Sequence, residues 1–250
     1  MAADDLLWQV EELCVAARPA VVREVAHGWA FGRSGGRVRH ANCVNPLRGM
    51  RGDPLAAIVR GEAFYAACGQ VPLFRVPTIA NEMDVELDRF EYGLEGSTVT
   101  LLNPLETPLV EDPETVLKSE PDTVWLEARA RISGDSPEND AAYCDMVRCI
   151  VLPKIFAATA VDGRIASIAY GVISNGMMVL DSVATDAEFR QRGLARRTLQ
   201  TLISHSKRRG ADSVCLQVVA DNAPARALYA SLGFDRELYR YHYRRKMPAE

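Results

Sequence analysis

Three apolar runs follow one another between Ile155 and Thr185, separated by two turn dipeptides. Ile155–Val161 meets Asp162-Gly163, Arg164–Ile173 meets Asn175-Gly176, and Met177–Thr185 comes third. In a tight hairpin both central residues must accept positive φ, which Asn, Asp and Gly tolerate best. The pattern predicts a three-stranded antiparallel meander. Then the period changes. From Arg192 to Arg209, Leu194, Thr198, Leu199, Leu202 and Ile203 recur at helical spacing. Lys207, Arg208 and Arg209 crowd the last turn, where the helix dipole favours cations, and Gly210 ends it. Ser213–Ala220 reads as a strand. Asp221-Asn222-Ala223-Pro224 opens a further helix that Gly233 stops, and Leu238–Arg244 alternates like a strand.

Upstream of the meander, Val124–Ile132 reads as a helix. Ser136-Pro137-Glu138 then supplies an N-cap, a first-turn proline and an acid near the positive helix end, opening a helix that runs to about Cys149. The order over this half is α-α-β-β-β-α-β-α-β. The segment from Asn103 to Asp122 carries four prolines and many acids. Proline removes a backbone donor and restricts its neighbour, so the segment reads as a linker. The expected division is 1–102, a linker over 103–122, and a catalytic domain over 123–250. The fold class is α/β (α+β), with a mixed, mostly antiparallel central sheet flanked by helices and a second, smaller N-terminal domain.

Composition narrows the function classes. The 250 residues are 48% hydrophobic and 25% charged with net charge −4, so nothing in the balance points to nucleic acid or an anionic membrane. The six cysteines form no CxxC pair and no His cluster accompanies them. Neither zinc nor any other metal is expected, and small buried thiols in a reducing compartment are. The first residues, MAADDLLWQVEELC, are acidic and helix-patterned, without the basic and apolar regions of a signal peptide. No apolar stretch reaches bilayer length. The expectation is a cytoplasmic, soluble protein.

The chemistry concentrates in Asp181–Ala195, DSVATDAEFRQRGLA. A strand runs into a short loop and then into a helix opening at Arg190-Gln191-Arg192-Gly193-Leu194-Ala195. Backbone N–H groups at a helix start have no intrahelical partner, and the dipole adds positive potential, so such a terminus suits a pyrophosphate. Gly193 and Ala195 keep side-chain bulk away. Arg190, Arg192, Arg196 and Arg197 add positive charge. A second motif follows at Leu216–Phe234, LQVVADNAPARALYASLGF.

Together these two motifs resemble the GNAT superfamily of N-acetyltransferases, including its two-part bacterial members. RQRGLA is similar to that family's coenzyme A pyrophosphate loop, and Asn222 to Phe234 is similar to its second cofactor-binding segment. The resemblance covers about half the chain and implies acetyl-CoA as co-substrate, with direct attack by an amine in a ternary complex. It implies that backbone groups of Val183, Ala184 and Thr185 hold the acetyl carbonyl and pantetheine arm. N–H groups of Gln191, Arg192, Gly193, Leu194 and Ala195 would hold the pyrophosphate. Asn222 would contact pantetheine, and Tyr229 would protonate the departing thiolate. The base is open: Asp181, which simple alternation puts on the face of Val183 and Thr185, or water leading to bulk solvent. The acceptor is unspecified, with a monomer or homodimer expected. The alternative reading is a non-catalytic acyl-CoA sensor.

The N-terminal half lacks RxxGxA. His27-Gly28-Trp29 and Arg39–Leu47 resemble the N-terminal regions of those two-part proteins, which look like degenerate acetyltransferase halves. Such a half would wall off the acceptor site or form a subunit interface. Ala63–Gly69 aligns with Ala227–Gly233 as a weak internal repeat. Asn42 and Asn45 either cap turns beside Pro46 or line an acceptor pocket. The tail YRYHYRRK alternates tyrosines with basic residues and reads as an amphipathic edge strand rather than a nucleic-acid platform.

Overall fold

The computed structural model describes residues 3–106 and 109–246. In chain order the elements are α1 (Ala3–Ala16), β1 (Val22–Ala26), β2 (Trp29–Arg33), β3 (Val44–Pro46), α2 (Pro54–Ala66), β4 (Leu73–Pro77), α3 (Asp84–Arg89) and β5 (Tyr92–Asn103). They continue with β6 (Thr115–Lys118), α4 (Thr123–Ser133), α5 (Pro137–Arg148), β7 (Lys154–Val161), β8 (Arg164–Ser174) and β9 (Met177–Thr185). Then come α6 (Leu194–Arg208), β10 (Ser213–Val219), α7 (Ala223–Ala230) and β11 (Arg236–Lys246). Among the described residues no helix is long and apolar enough to cross a membrane.

Local signals act as read from the sequence. Asp162 and Gly163, and Asn175 and Gly176, all take positive φ in their hairpins. Asp122 caps α4 by accepting from Trp125 N–H at 2.9 Å, and Gly134 closes that helix in the left-handed region at φ 62. Ser136 caps α5 with Pro137 in the first turn.

The strands form one eleven-stranded sheet in the order β1-β2-β3-β4-β11-β5-β10-β9-β8-β7-β6. Two stretches of this order repeat a motif. In one, β3 and β4 run parallel with α2 between them in sequence; in the other, β9 and β10 run parallel with α6 between them. The strand beside β4 is β11, and the strand beside β10 is β5. Each half of the chain thus sends its last strand into the other half's sheet, where β5 and β11 pair antiparallel.

Three expectations are corrected here. First, β11 is an interior strand. Tyr239, Tyr241 and Tyr243 are buried against α1 and the sheet, while His242 and Arg244 meet Asp84 on α3. Alternation gave the two faces correctly but could not show that acids of α3 cover His242 and Arg244 on the basic one, while Arg240 stays exposed. Second, the segment 103–122 is not free of regular structure. Thr115–Lys118 pairs with β7, and the segment before it is tied along α6, with Asp112 gripping Arg197 and Leu105 C=O accepting from Lys207. Pro108 lies outside the described residues. Third, Tyr65 and Tyr229 do not stand at equivalent positions. Tyr65 is on α2, which occupies the place of α6, and its hydroxyl donates to Gly32 C=O at 2.8 Å.

The core divides on either side of the sheet. One cluster packs α1, α4 and α5 on one face through Val10, Trp125, Tyr143, Phe156 and Tyr170. The other packs α6 and α7 on the opposite face through Leu199, Leu202, Leu216 and Tyr229. The candidate site residues sit where the sheet opens between these two faces.

Candidate active site

The opening is a fork between β9 and β10. The two strands pair only from Met177↔Ser213 to Leu180↔Leu216, although β9 continues to Thr185 and β10 to Val219. Just past the last pair, β9 carries a bulge. Its partners on β8 run Tyr170↔Asp181 and then Ile168↔Ala184, so Ser182 and Val183 stand opposite Ala169 alone. Ser182 takes φ 47, the left-handed value that such a kink requires. Val183 therefore has no register partner on either neighbouring strand.

The bulge also reverses the alternation beyond it. Asp181 shares a face with Tyr170, Ile168 and Ala184, on the α1 side, while Val183 packs with the α6 and α7 cluster. Asp181 is thus not on the face of Val183 and Thr185, because the extra residue breaks the period of two. Its carboxylate is engaged from both sides. Arg18 Nε lies 2.9 Å from Oδ2, and Oδ1 accepts from the Ser182 N–H at 2.6 Å and the Ser182 hydroxyl at 3.1 Å. Ser182 in turn shares a hydrogen bond of 2.8 Å with the Tyr143 hydroxyl on α5.

The end of β9 leads into a one-turn 3-10 helix, Ala187–Phe189. Asp186 caps that turn by accepting from Glu188 N–H, and its carboxylate also pairs with Arg131 and Arg164. Burial opposes its charge, but the Glu188 amide and the two guanidiniums hold its carboxyl below the ordinary range. Gln191 and Gly193 then take φ 61 and φ 74. These turns orient the chain so that α6 opens at Leu194 with Gly193 as its cap and no side chain capping it. Among the described residues, no backbone N–H from Gln191 to Arg196 finds an acceptor, and the first bond of the helix is Arg197 N–H to Gly193 C=O at 3.1 Å. A Cβ on Gly193 would meet nothing within 4 Å, so open space lies beside the unpaired amides. This arrangement has the donors and the room that a diphosphate needs.

The arginines around the turn divide by partner. Arg197 is turned away, bound to Asp112 through two hydrogen bonds of 2.6 and 3.0 Å, so it does not serve the site. Arg196 reaches Ser231 at the end of α7, tying the two helices together. Arg190 donates only to Thr185 C=O, and Arg192 lies over the Phe189 ring. Among the described residues neither pairs with a carboxylate, so both keep charge for an anion.

Across the fork, Asn222 caps α7 with its carbonyl oxygen, accepting from Ala225 N–H at 3.2 Å, which leaves its amide NH2 for a ligand. Tyr229 is 7% exposed and packs against Phe234. Among the described residues its hydroxyl has no hydrogen-bond partner. Burial, with the Asp181 charge added, pushes this phenol up to about 12, so it stays protonated at neutral pH.

The sequence motifs concealed one contributor. Arg18, just after α1, donates to Gln217 on β10 at 2.6 Å while it holds Asp181 on β9. It crosses the fork at the first residue of each strand beyond the last pair. Burial alone would lower its basicity, but Asp181 more than offsets this and keeps it charged. Gln217, a polar residue inside an apolar strand, was the available signal. Asn42 does staple a turn, accepting from Ser34 and Gly35 N–H. Asn45 does not; it is buried on β3. In the N-terminal half, the opening of α2 is capped by Asp53, whose carboxylate accepts from Leu55 N–H where an anion would otherwise sit.

Known proteins bear on this geometry. Residues 7–245 match the family described as "Probable histone acetyltransferase Rv0428c C-terminal". The uncharacterized N-acetyltransferase YobR of Bacillus subtilis is 24% identical over 249 residues, covering 97% of this chain and 99% of its own. The [ribosomal protein bS18]-alanine N-acetyltransferase of Salmonella typhimurium is 39% identical over 82 residues, covering 33% of this chain and 55% of that protein. A solved GCN5-related N-acetyltransferase from Kribbella flavida superposes with TM-score 0.68 at 18% identity, covering 99% of this chain and 96% of that one.

Proposed function

The chain belongs to the Rv0428c C-terminal acetyltransferase family and is a GNAT N-acetyltransferase, and from that premise we propose that it moves the acetyl group of acetyl-CoA onto a primary amine by direct attack in a ternary complex. The observation that carries this reading is the run of unpaired amides from Gln191 to Arg196 beside the fork.

The site residues then divide the work. N–H groups of Gln191, Arg192, Gly193, Leu194 and Ala195 grip the diphosphate, with Arg190 and Arg192 adding charge and Arg196 bracing α6 against α7. Backbone groups of Val183, Ala184 and Thr185, together with the Asn222 amide, hold the pantetheine arm along the open edge of β9. Acetyl-CoA supplies an activated thioester carbonyl. The Val183 N–H, at the bulge where the register gives the residue no partner, stabilises the charge that develops on the carbonyl oxygen; loss of a comparable donor costs about 10²–10³ in rate.

The amine arrives from the α1 face, where Asp181 stands. Asp181 orients the ammonium, whose proton passes to water before attack. The new C–N bond forms, the C–S bond breaks and Tyr229 gives its phenolic proton to the sulfur, while the proton that the nitrogen sheds on becoming an amide returns to the phenoxide through water. General acid catalysis of this kind contributes about 10²–10⁴. We read the chain as two GNAT-like halves, 1–102 and 123–250, joined through 103–122, with the capped opening of α2 explaining why only the second grips the cofactor.

The test is thiol release from acetyl-CoA with a panel of primary amines, run on the wild type and on Asp181→Asn. At least one amine should release thiol stoichiometrically with N-acetyl product. Asp181→Asn should lower kcat/KM about 10²-fold, within the range for groups that orient the reacting atoms, with unchanged acetyl-CoA affinity. Binding of acetyl-CoA without turnover of any amine would favour a sensor instead.

A further inference from the structure

Between α1 and strands β2 and β3 lies a cavity of about 320 Å³, at the lower end of the range for small-ligand sites. Its walls are mainly apolar, with Trp8, Val15 and Ala16 from α1 facing Ala30 on β2 and Leu47 after β3. Arg18 lines it as well, and Arg18 is the residue that pins Asp181 and Gln217 at the fork. Arg18 therefore links the wall of this cavity to the fork.

The buried polar groups of the cavity have an unusual character. His40 and Asn45 both line it and are 3% and 5% exposed. Neither ring nitrogen of His40 has a hydrogen-bond partner, and neither does Asn45 Oδ1. A buried polar atom without a partner carries a desolvation cost that a suitable ligand would relieve. The buried charges, by contrast, are already spent. Glu11 is bound to Arg75 and to the Tyr239 hydroxyl, and Arg18 to Asp181. Burial and the charges of Arg18 and Arg75 hold the His40 imidazole well below its ordinary range, so it stays neutral. Exposed Glu12, Arg23 and Arg48 also line the cavity, so its uncharged capacity lies at the buried end: an amide oxygen that accepts, and an imidazole with one donor and one acceptor nitrogen. A carboxylate or second ammonium placed beside His40 and Asn45 would lose water without gaining a free opposite charge.

We propose that this cavity is the acceptor pocket, and that it takes a primary amine carrying an apolar body and an uncharged amide, as in an amino-acid amide. The inference rests on the transferase reading under which Asp181 and Tyr229 act on the amine and the thioester. It gives the N-terminal half a direct role in selection, in which α1, β2 and β3 choose the acceptor while β9, α6 and α7 hold the cofactor.

The test compares leucinamide, leucine and spermidine as acceptors at saturating acetyl-CoA, by thiol release. Leucinamide should exceed both in kcat/KM by at least about tenfold, since a site built to hydrogen-bond one group rejects analogues that leave it unpaired. Ala16→Phe, which fills the cavity from the last turn of α1, should raise the KM for leucinamide at least about tenfold by the same argument, with acetyl-CoA affinity held within about twofold. Val15→Phe provides a second filling variant should Ala16→Phe prove unstable in thermal melting. Equal use of leucine and leucinamide, no turnover of leucinamide by a protein that binds acetyl-CoA, or an unchanged KM in a folded filling variant overturns the pocket. A wild type that fails to bind acetyl-CoA at all defeats the transferase mechanism instead.

Discussion

At the scale of single residues, the site combines groups whose roles follow from local chemistry with groups that only the fold brings in. The helix openings at Gly193 and Asn222 and the place of Tyr229 on α7 were legible because short motifs fix the backbone there. Arg18 was not, because its partners lie 163 and 199 positions away in sequence. The facing of Asp181 was misread because a bulge of one residue cannot be seen in an alternation of two. Tyr229 carries a direct expectation. Tyr229→Phe should lower kcat about 10²-fold or more while leaving acetyl-CoA affinity within about twofold, because the proposed role of the hydroxyl is on the leaving sulfur alone. Equal turnover by the variant would remove the phenol from the mechanism. His40 carries another. It is buried and neutral beside Arg18, Arg75 and the Tyr241 ring. The unfolded chain binds a proton at His40 near pH 6.5 and the folded chain does not, so stability should fall as pH drops below that value. The slope is about 1.4 kcal/mol per pH unit until the folded imidazole itself titrates. Urea midpoints at pH 7.5 and 5.5 should show a larger loss in the wild type than in His40→Gln, and equal losses would contradict the assignment.

At the scale of elements, the strands and helices from α4 to β11 were readable because caps, turn dipeptides and apolar period all agree there. What the period could not show was how β9 ends. The bulge at Ser182, the Asp186 cap and the positive φ at Gln191 and Gly193 together aim the opening of α6 at the fork. Asp186→Asn should therefore weaken acetyl-CoA about three- to tenfold by letting the loop drift, since small misplacements of a binding group cost affinity steeply. Ser136→Ala removes a cap far from that loop. It should lower stability by about 1 kcal/mol and leave acetyl-CoA affinity unchanged. Calorimetric titration and denaturant melts on the two variants separate these effects, and the reverse pattern would dissociate the cap from the cofactor loop.

At the scale of the whole molecule, the crossed strands β5 and β11 make the two halves one sheet. Nothing in the sequence announced this exchange, because strand patterns show which face is apolar but not which neighbour is paired. The exchange has a mechanical consequence. Residues 1–102 alone would lose β11 from beside β4, and 123–250 alone would lose β5 from beside β10. Denaturant unfolding of the full chain should show one cooperative transition, and neither fragment should unfold cooperatively by itself; a folded 1–102 fragment would contradict this. The joined sheet is what holds α6 with its amides facing open space, and the proposed function stands on those amides. Calorimetric titration of acetyl-CoA into the wild type and into Gly193→Asp tests them most directly. The wild type should bind with a Kd of about micromolar order, and the variant, with a carboxylate in the diphosphate's place, should lose at least about 10²-fold, or about 2.7 kcal/mol. A folded Gly193→Asp protein that binds acetyl-CoA as tightly as the wild type would show that the opening of α6 does not grip the cofactor.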